Sequence, residues 1–172
     1  SNGWITNHGE LSQELTNKLK QFLGVENLLL TANVTLPLQM AMKVFGLQGE
    51  VITTPFSYIA SSAAIVWQNL RPVFVDIDLT TFNIDPQQII SKITPRTKAI
   101  LPVHEFGLMS EMSSILEIAK QHKLEVIEDA ACALGATFQN KKSGSFGTVG
   151  SFSLHPRKAI TSGEGGFLTT ND

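Results

Sequence analysis

The sequence predicts an α/β fold with a mostly parallel sheet and helices on both faces. Short apolar runs alternate with segments of helical period along most of the chain. Those segments are long enough to act as crossovers, and such strand–helix–strand units close right-handed into a parallel sheet covered on both sides. An apolar content of 42% against 16% charged residues gives the 172-residue chain material for one sizeable core.

Leu11, Leu15, Leu19, Phe22 and Leu23 recur at helical spacing and Gly24 follows as a stop signal, so the opening segment reads as an amphipathic helix. Leu28 to Leu30 is a short strand, followed by a helix from about Thr35 to Phe45. Val51 to Thr53 is the next strand, and Ser57 to Trp67 is helical. Pro72 to Val75 is a strand ending in Asp76-Ile77-Asp78. Asp85-Pro86 has the form of a helix start, with proline in the first turn of a helix reaching about Ile93. Ala99 to Val103 is a strand, Met109 to His122 a helix and Leu124 to Ile127 a strand. Residues 143–151 and 161–166 are rich in Gly, Ser and Thr, so the runs Ser151 to Leu154 and Gly166 to Thr169 read as strands joined by turns and loops.

A net charge of -2 with scattered basic residues gives no footprint for nucleic acid or an anionic membrane. Nothing approaches the ~18 consecutive apolar residues of a spanning helix. Ser1-Asn2-Gly3-Trp4 lacks the regions of a signal peptide and reads as a short expression scar. Cys132, the one cysteine, has no internal disulfide partner. The expectation is a cytoplasmic protein without nucleic-acid or membrane partners. Metal-ligand spacing, GxSxG, a Walker loop and the GxGxxG dinucleotide fingerprint are all missing.

Ligands of open parallel sheets sit beyond the carboxyl ends of the strands. Polar residues follow the apolar runs at Asn33-Val34-Thr35, at Glu128-Asp129 and from Ser153 to Lys158. Taken singly each has an ordinary reading: a helix cap, an acidic turn, a surface lysine. Taken together, EVITTPFSYIASSAAIVWQNLRPVFVDID, IEDAACALGA and GSFSLHPRKAITSGEGGFLTT resemble, in order and spacing, the DegT/DnrJ/EryC1/StrS sugar aminotransferases. WITNHGELSQELTNKLKQFLGV is similar to that family's N-terminal entry. The combination of EDAA, FS-x-H-x-x-K and GEGG is the most specific part of the resemblance.

The resemblance implies a fold-type-I architecture, with residues 1–172 as an incomplete large domain that binds pyridoxal 5′-phosphate (PLP) and a small C-terminal domain missing. It implies a homodimer that moves an amino group, commonly from glutamate, onto a nucleotide-linked keto sugar in polysaccharide biosynthesis. By position, Lys158 is the cofactor-holding lysine and proton shuttle, and Asp129 the carboxylate beside the ring nitrogen. Thr35 and Ser153 match phosphate ligands, and Tyr58 an aromatic stacked on the ring. Gly163-Glu164-Gly165-Gly166 permits close backbone approach beside the lysine loop. The family's sugar dehydratases carry histidine at the lysine position, so Lys158 speaks against that branch. His104 and His155 are expected to be structural hydrogen-bonders.

Three positions depart from the family pattern. Val34 replaces a glycine before Thr35, and a β-branched residue resists φ > 0, so weaker phosphate binding is expected there. Pro37 removes a further N–H donor. Cys132, a weak donor, stands where the family commonly has a glutamine that donates towards the ring hydroxyl or nearby groups; it is expected to be a small buried apolar side chain, and by position both it and Val34 fall among the cofactor-binding residues. Arg157 replaces a smaller polar residue before Lys158. These departures, with a length about half that of a family member, leave a second expectation beside the enzyme: a truncated, non-catalytic paralogue that serves as a folding or dimerisation module.

Overall fold

The computed structural model describes residues 3–4 and 8–172; the reading of Ser1-Asn2 as a scar lies outside them. The chain forms α1 (Glu10–Leu23), β1 (Asn27–Thr31), α2 (Thr35–Val44), β2 (Glu50–Thr53), α3 (Ile59–Trp67), β3 (Arg71–Phe74), α4 (Pro86–Ile89) and β4 (Thr97–Ile100). It continues through α5 (Met112–His122), β5 (Glu125–Asp129), β6 (Thr137–Phe138), β7 (Lys141–Lys142), β8 (Val149–Ser153) and β9 (Gly166–Thr170). Seven strands make one sheet in the order β1-β9-β8-β5-β4-β2-β3, and β6 and β7 form a separate small hairpin. The pairs β2–β3, β2–β4, β4–β5 and β5–β8 are parallel, whereas β9 is antiparallel to both β8 and β1. The predicted mostly parallel α/β architecture is therefore the observed one.

Alternation along each strand sorts the core into layers. Val51, Ala99, Leu101, Ile127 and Val149 pack with Leu38, Ala41 and Met42 of α2 and Ala64 and Ile65 of α3. Ile52, Ile100 and Val126 point the other way, onto Ile89 of α4 and Met112, Ile115 and Ile118 of α5. Leu19 and Leu23 of α1 close the sheet's other end over Phe152 and Phe167, whose rings stack 4.6 Å apart. The expected amphipathic stripe of α1 is thus the face that covers β8 and β9, and Gly24 ends the helix at φ 70° as its stop signal implied.

The boundaries differ where the backbone turns early. Helix α3 starts at Ile59 because Tyr58 is extended (φ −66°, ψ 141°). The helix opened by Asp85, whose carboxylate accepts from the Gln87 N–H, lasts four residues and gives way to a 3₁₀ turn at Ile90–Lys92. A 3₁₀ turn at Glu105–Gly107 delays α5 to Met112, where Glu111 caps it through the Ser114 N–H at 2.7 Å. Strand β4 stops at Ile100, and Val103 returns as a single bridge to Asp129.

All of β8 is buried. Gly150 lies on it where a Cβ would strike the Gly144 backbone, 2.6 Å from both the Gly144 carbonyl oxygen and Thr169 Oγ1. Gly150→Ala is expected to destabilise the fold by about 1–3 kcal/mol through overpacking, measured as a lower urea midpoint with an unchanged slope.

Candidate active site

The parallel strands bring the carboxyl ends of β1, β5 and β8 to one edge of the sheet. Because β9 runs oppositely, its first residue, Gly166, starts at that same edge, paired with both Ser153 and Thr31. A cavity of about 350 Å³ opens there. Val34, Thr35, Tyr58, Asp129, Cys132, Ser153 and Lys158, the residues singled out in the sequence, all line it.

Asp129 ends β5 and is buried. Its Oδ2 accepts a hydrogen bond from Ser61 Oγ of α3 at 2.7 Å, and its Oδ1 accepts from the Ala131 N–H at 3.1 Å. Burial pushes its carboxyl above the ordinary aspartate range, opposed by Ser61, the Ala131 N–H and the charges of His104 and Lys158. A buried carboxylate in this state favours a cationic partner.

Glu128, its neighbour, points to the opposite face. Its Oε1 accepts from the Phe146 and Gly147 N–H groups, both at 2.7 Å, and its Oε2 from the Gly144 N–H at 2.8 Å. His104 Nε2 lies 3.0 Å from Oε2, and the His104 ring also meets Ser110. Burial acts to raise the Glu128 carboxyl, but bonds from His104, Gly147 and Gly144 outweigh it and hold it below the ordinary range. His104 is therefore a structural hydrogen-bonder, as expected. His155 is one too, its Nδ1 accepting the Arg157 N–H at 3.2 Å, and it also lines the cavity with its Nε2 3.7 Å from Glu164 Oε1.

Lys158 is half-buried, and its Nζ lies 3.0 Å from Cys132 Sγ. This corrects the expectation for Cys132, which is exposed rather than a buried apolar filler. The main chain after Asp129 turns immediately through Ala131 and presents the thiol to the cavity. Tyr58 is 77% exposed at the start of α3, facing the cavity it lines. Arg157, exposed, also lines the cavity beside the lysine.

At the cavity's other end, Thr35 opens α2. Val34 has φ −75°, so the left-handed backbone expected to strain a β-branched residue is not required, and that ground for weakened phosphate binding is withdrawn. Asn33, noted in the sequence as a polar strand-end residue but given no role, accepts the Leu36 N–H on its Oδ1 at 3.1 Å. Gly166 closes the cradle: a Cβ there would lie 2.5–2.7 Å from the Asn33 carbonyl and the Val34 nitrogen. Ser61 and Glu105 were missed. Ser61, three residues after Tyr58 on the first turn of α3, had no motif to mark it.

A profile of the DegT/DnrJ/EryC1/StrS aminotransferase family matches residues 1–172. The chain belongs to this family. GDP-perosamine synthase of Caulobacter vibrioides is 44% identical over 171 residues, covering 98% of this chain and 46% of that protein. The crystal structure of DesI in the presence of its TDP-sugar product superposes with a TM-score of 0.94 at 37% identity, over 98% of this chain and 43% of that one. A putative sugar aminotransferase from Streptococcus pneumoniae, Spr1654 in its PLP form, superposes at 0.93 with 28% identity, over 99% of this chain and 47% of that one. This member of the DegT/DnrJ/EryC1/StrS family thus spans about half the length of the relatives it matches.

Pyridoxal phosphate is the cofactor of the DegT/DnrJ/EryC1/StrS family. The donor set here fits it: one cavity holds a buried carboxyl with no ion pair among the described residues, an amine, hydroxyls beside a helix N-terminus, and a glycine cradle. No helix among the described residues is long and apolar enough to cross a membrane.

Glu128→Gln would turn an amide N–H₂ towards backbone N–H donors. It is expected to destabilise the fold by about 3–5 kcal/mol, read by urea unfolding. Because the Glu128 carboxyl is held low, its stabilisation is present above the ordinary glutamate range and is lost as pH falls through its lowered value.

Proposed function

We propose that this chain is the cofactor-binding part of a PLP-dependent aminotransferase that transfers an amino group from an amino acid, glutamate in the first instance, to a nucleotide-linked keto sugar. Residues 1–172 are read as part of the large domain, with the small domain outside this chain. The protein is read as a cytoplasmic homodimer. The single observation that carries the reading is that Asp129 and Lys158 line one cavity and are close enough for the lysine's charge to act on the Asp129 carboxyl.

Bound PLP supplies a carbonyl carbon that takes up amines and a ring that accepts the electron pair released when a neighbouring C–H bond breaks. Asp129 would hold a proton on the ring nitrogen, with its carboxylate aimed by the hydrogen bond from Ser61. The burial that raises the Asp129 carboxyl when it stands without a cation makes a protonated ring nitrogen a favourable neighbour. Lys158 would hold the cofactor through its amine, and the same amine would be the base available to move a proton there. Thr35 and Ser153 would bind the phosphate, the former with the dipole of α2 behind it. Tyr58 would cover the ring's face. The nucleotide-sugar substrate is supported by the names of the relatives, GDP-perosamine synthase and the TDP-sugar complex of DesI among them.

Titration with PLP is expected to give an absorbance band near the visible edge that Lys158→Ala abolishes. Glutamate is then expected to convert the bound cofactor to its amine form in a single half-reaction. A wild-type protein that stays colourless in excess PLP rejects the cofactor site, and one that binds PLP but is inert to every amino donor is a binding module instead.

A further inference from the structure

Glu105 carries a buried acidic side chain at the edge of the cavity. It is 9% exposed, and its Oε1 has no hydrogen-bond partner among the described residues. The turn that carries it is strained. Phe106 has φ 53° and ψ 20°, and Gly107 follows at φ 85°; a bulky residue in the left-handed region persists only where its surroundings impose it. Asn83 imposes it here: its Oδ1 accepts the Glu105 N–H at 2.9 Å and its Nδ2 donates to the Leu108 carbonyl at 3.1 Å, clamping both ends of the turn.

The clamp places Glu105 in the wall of the cavity that holds Asp129, Cys132 and Lys158. The turn also packs on Cys132: a Cβ added to Gly107 would lie 3.3 Å from the Cys132 carbonyl oxygen. Burial and the charge of Asp129 push the Glu105 carboxyl above its ordinary range, with Lys158 pulling the other way. Such a carboxyl holds its proton to higher pH than an ordinary glutamate, and in the protonated form it can donate as well as accept. Buried and unpartnered, it costs stability until a ligand satisfies it.

We infer that Glu105 is a cofactor-contacting residue: its carboxyl group hydrogen-bonds the ring hydroxyl of bound PLP, the place for which the neighbouring thiol of Cys132 is a weak donor. The inference rests on the cofactor reading above and deepens it. It makes the strained turn at Glu105–Gly107 part of the site, and it explains why a buried acid is kept where a leucine would pack.

The test is PLP binding followed by absorbance, with the cofactor-free thermal midpoint as a second readout. Glu105→Leu is expected to weaken PLP binding about 10–100-fold and to shift the bound cofactor's absorbance. Its cofactor-free midpoint is expected to equal or exceed that of the wild type, because an unpartnered buried carboxyl is gone. Glu105→Gln, whose amide both donates and accepts, is expected to bind within about three-fold of the wild type. Adding Cys132→Gln to Glu105→Leu is expected to recover about ten-fold in affinity by restoring a donor from the other side. Unchanged affinity and absorbance in Glu105→Leu would overturn the inference. So would a fall in its cofactor-free midpoint together with no recovery from Cys132→Gln, which marks a structural role. If the wild type takes up no PLP, the whole site reading fails. If it does, and Lys158→Ala removes the band while Glu105→Leu binds normally, the Glu105 contact alone is rejected.

Discussion

Adjacent residues on a strand face opposite sides of the sheet, and in β5 that rule is applied to two carboxylates. Glu128 turns towards α5's side, where three backbone N–H groups and His104 satisfy it. Asp129 turns towards α3, where a hydroxyl and one N–H leave it short of a cation. The first carboxylate ties the loop around residues 144–147 to the middle of the sheet; the second is left for chemistry. A slip of one residue in β5 would exchange them, so the register of this strand decides the site. Its pairing of Ile127 with Val149 and of Asp129 with Ser151 fixes both at once.

The reversed strand β9 has the second large effect. A parallel successor to β8 would need a long crossover leading away from the carboxyl edge. An antiparallel one lets the loop from Leu154 to Gly165 begin and end at the cavity. The loop is folded on itself by bonds from the Leu154 N–H to the Gly165 carbonyl at 2.9 Å and from the Lys158 N–H to the His155 carbonyl at 2.9 Å. Gly163, at φ 89°, supplies a left-handed bend there. Lys158 is thereby held over the site by a short loop, and Gly166 lets the β1–α2 turn close the far wall.

Much of this architecture was legible in the residues. The apolar runs around Val51, Ala99 and Val126 marked strands because burial on both faces leaves no room for polar side chains in the middle of a parallel sheet. Gly24 and Asp85 marked helix ends through local backbone chemistry that needs no tertiary context. The β6–β7 hairpin escaped notice, since two-residue strands carry no periodic signal. The early stop of β4 and the late start of α5 were equally hidden, because the turn between them is held by Asn83, more than twenty residues away in sequence. Among site residues, motif resemblance marked Lys158, Asp129 and Ser153 and strand-end position marked Asn33, while Ser61 and Glu105 are defined by contacts that no short motif contains.

By itself, the sequence determined the alternation of strands and helices, the polar residues waiting at strand ends, and the family those motifs belong to. These are local properties: periodicity, capping and the order of residue types along the chain. The tertiary structure decided which of two neighbouring carboxylates meets the cavity, that Cys132 faces Lys158 rather than the core, that Val34 needs no left-handed backbone, and that Glu105 stands unpartnered in the same wall. Those outcomes depend on strand register and on side chains brought together from distant segments, and distance in space is not written in distance along the chain.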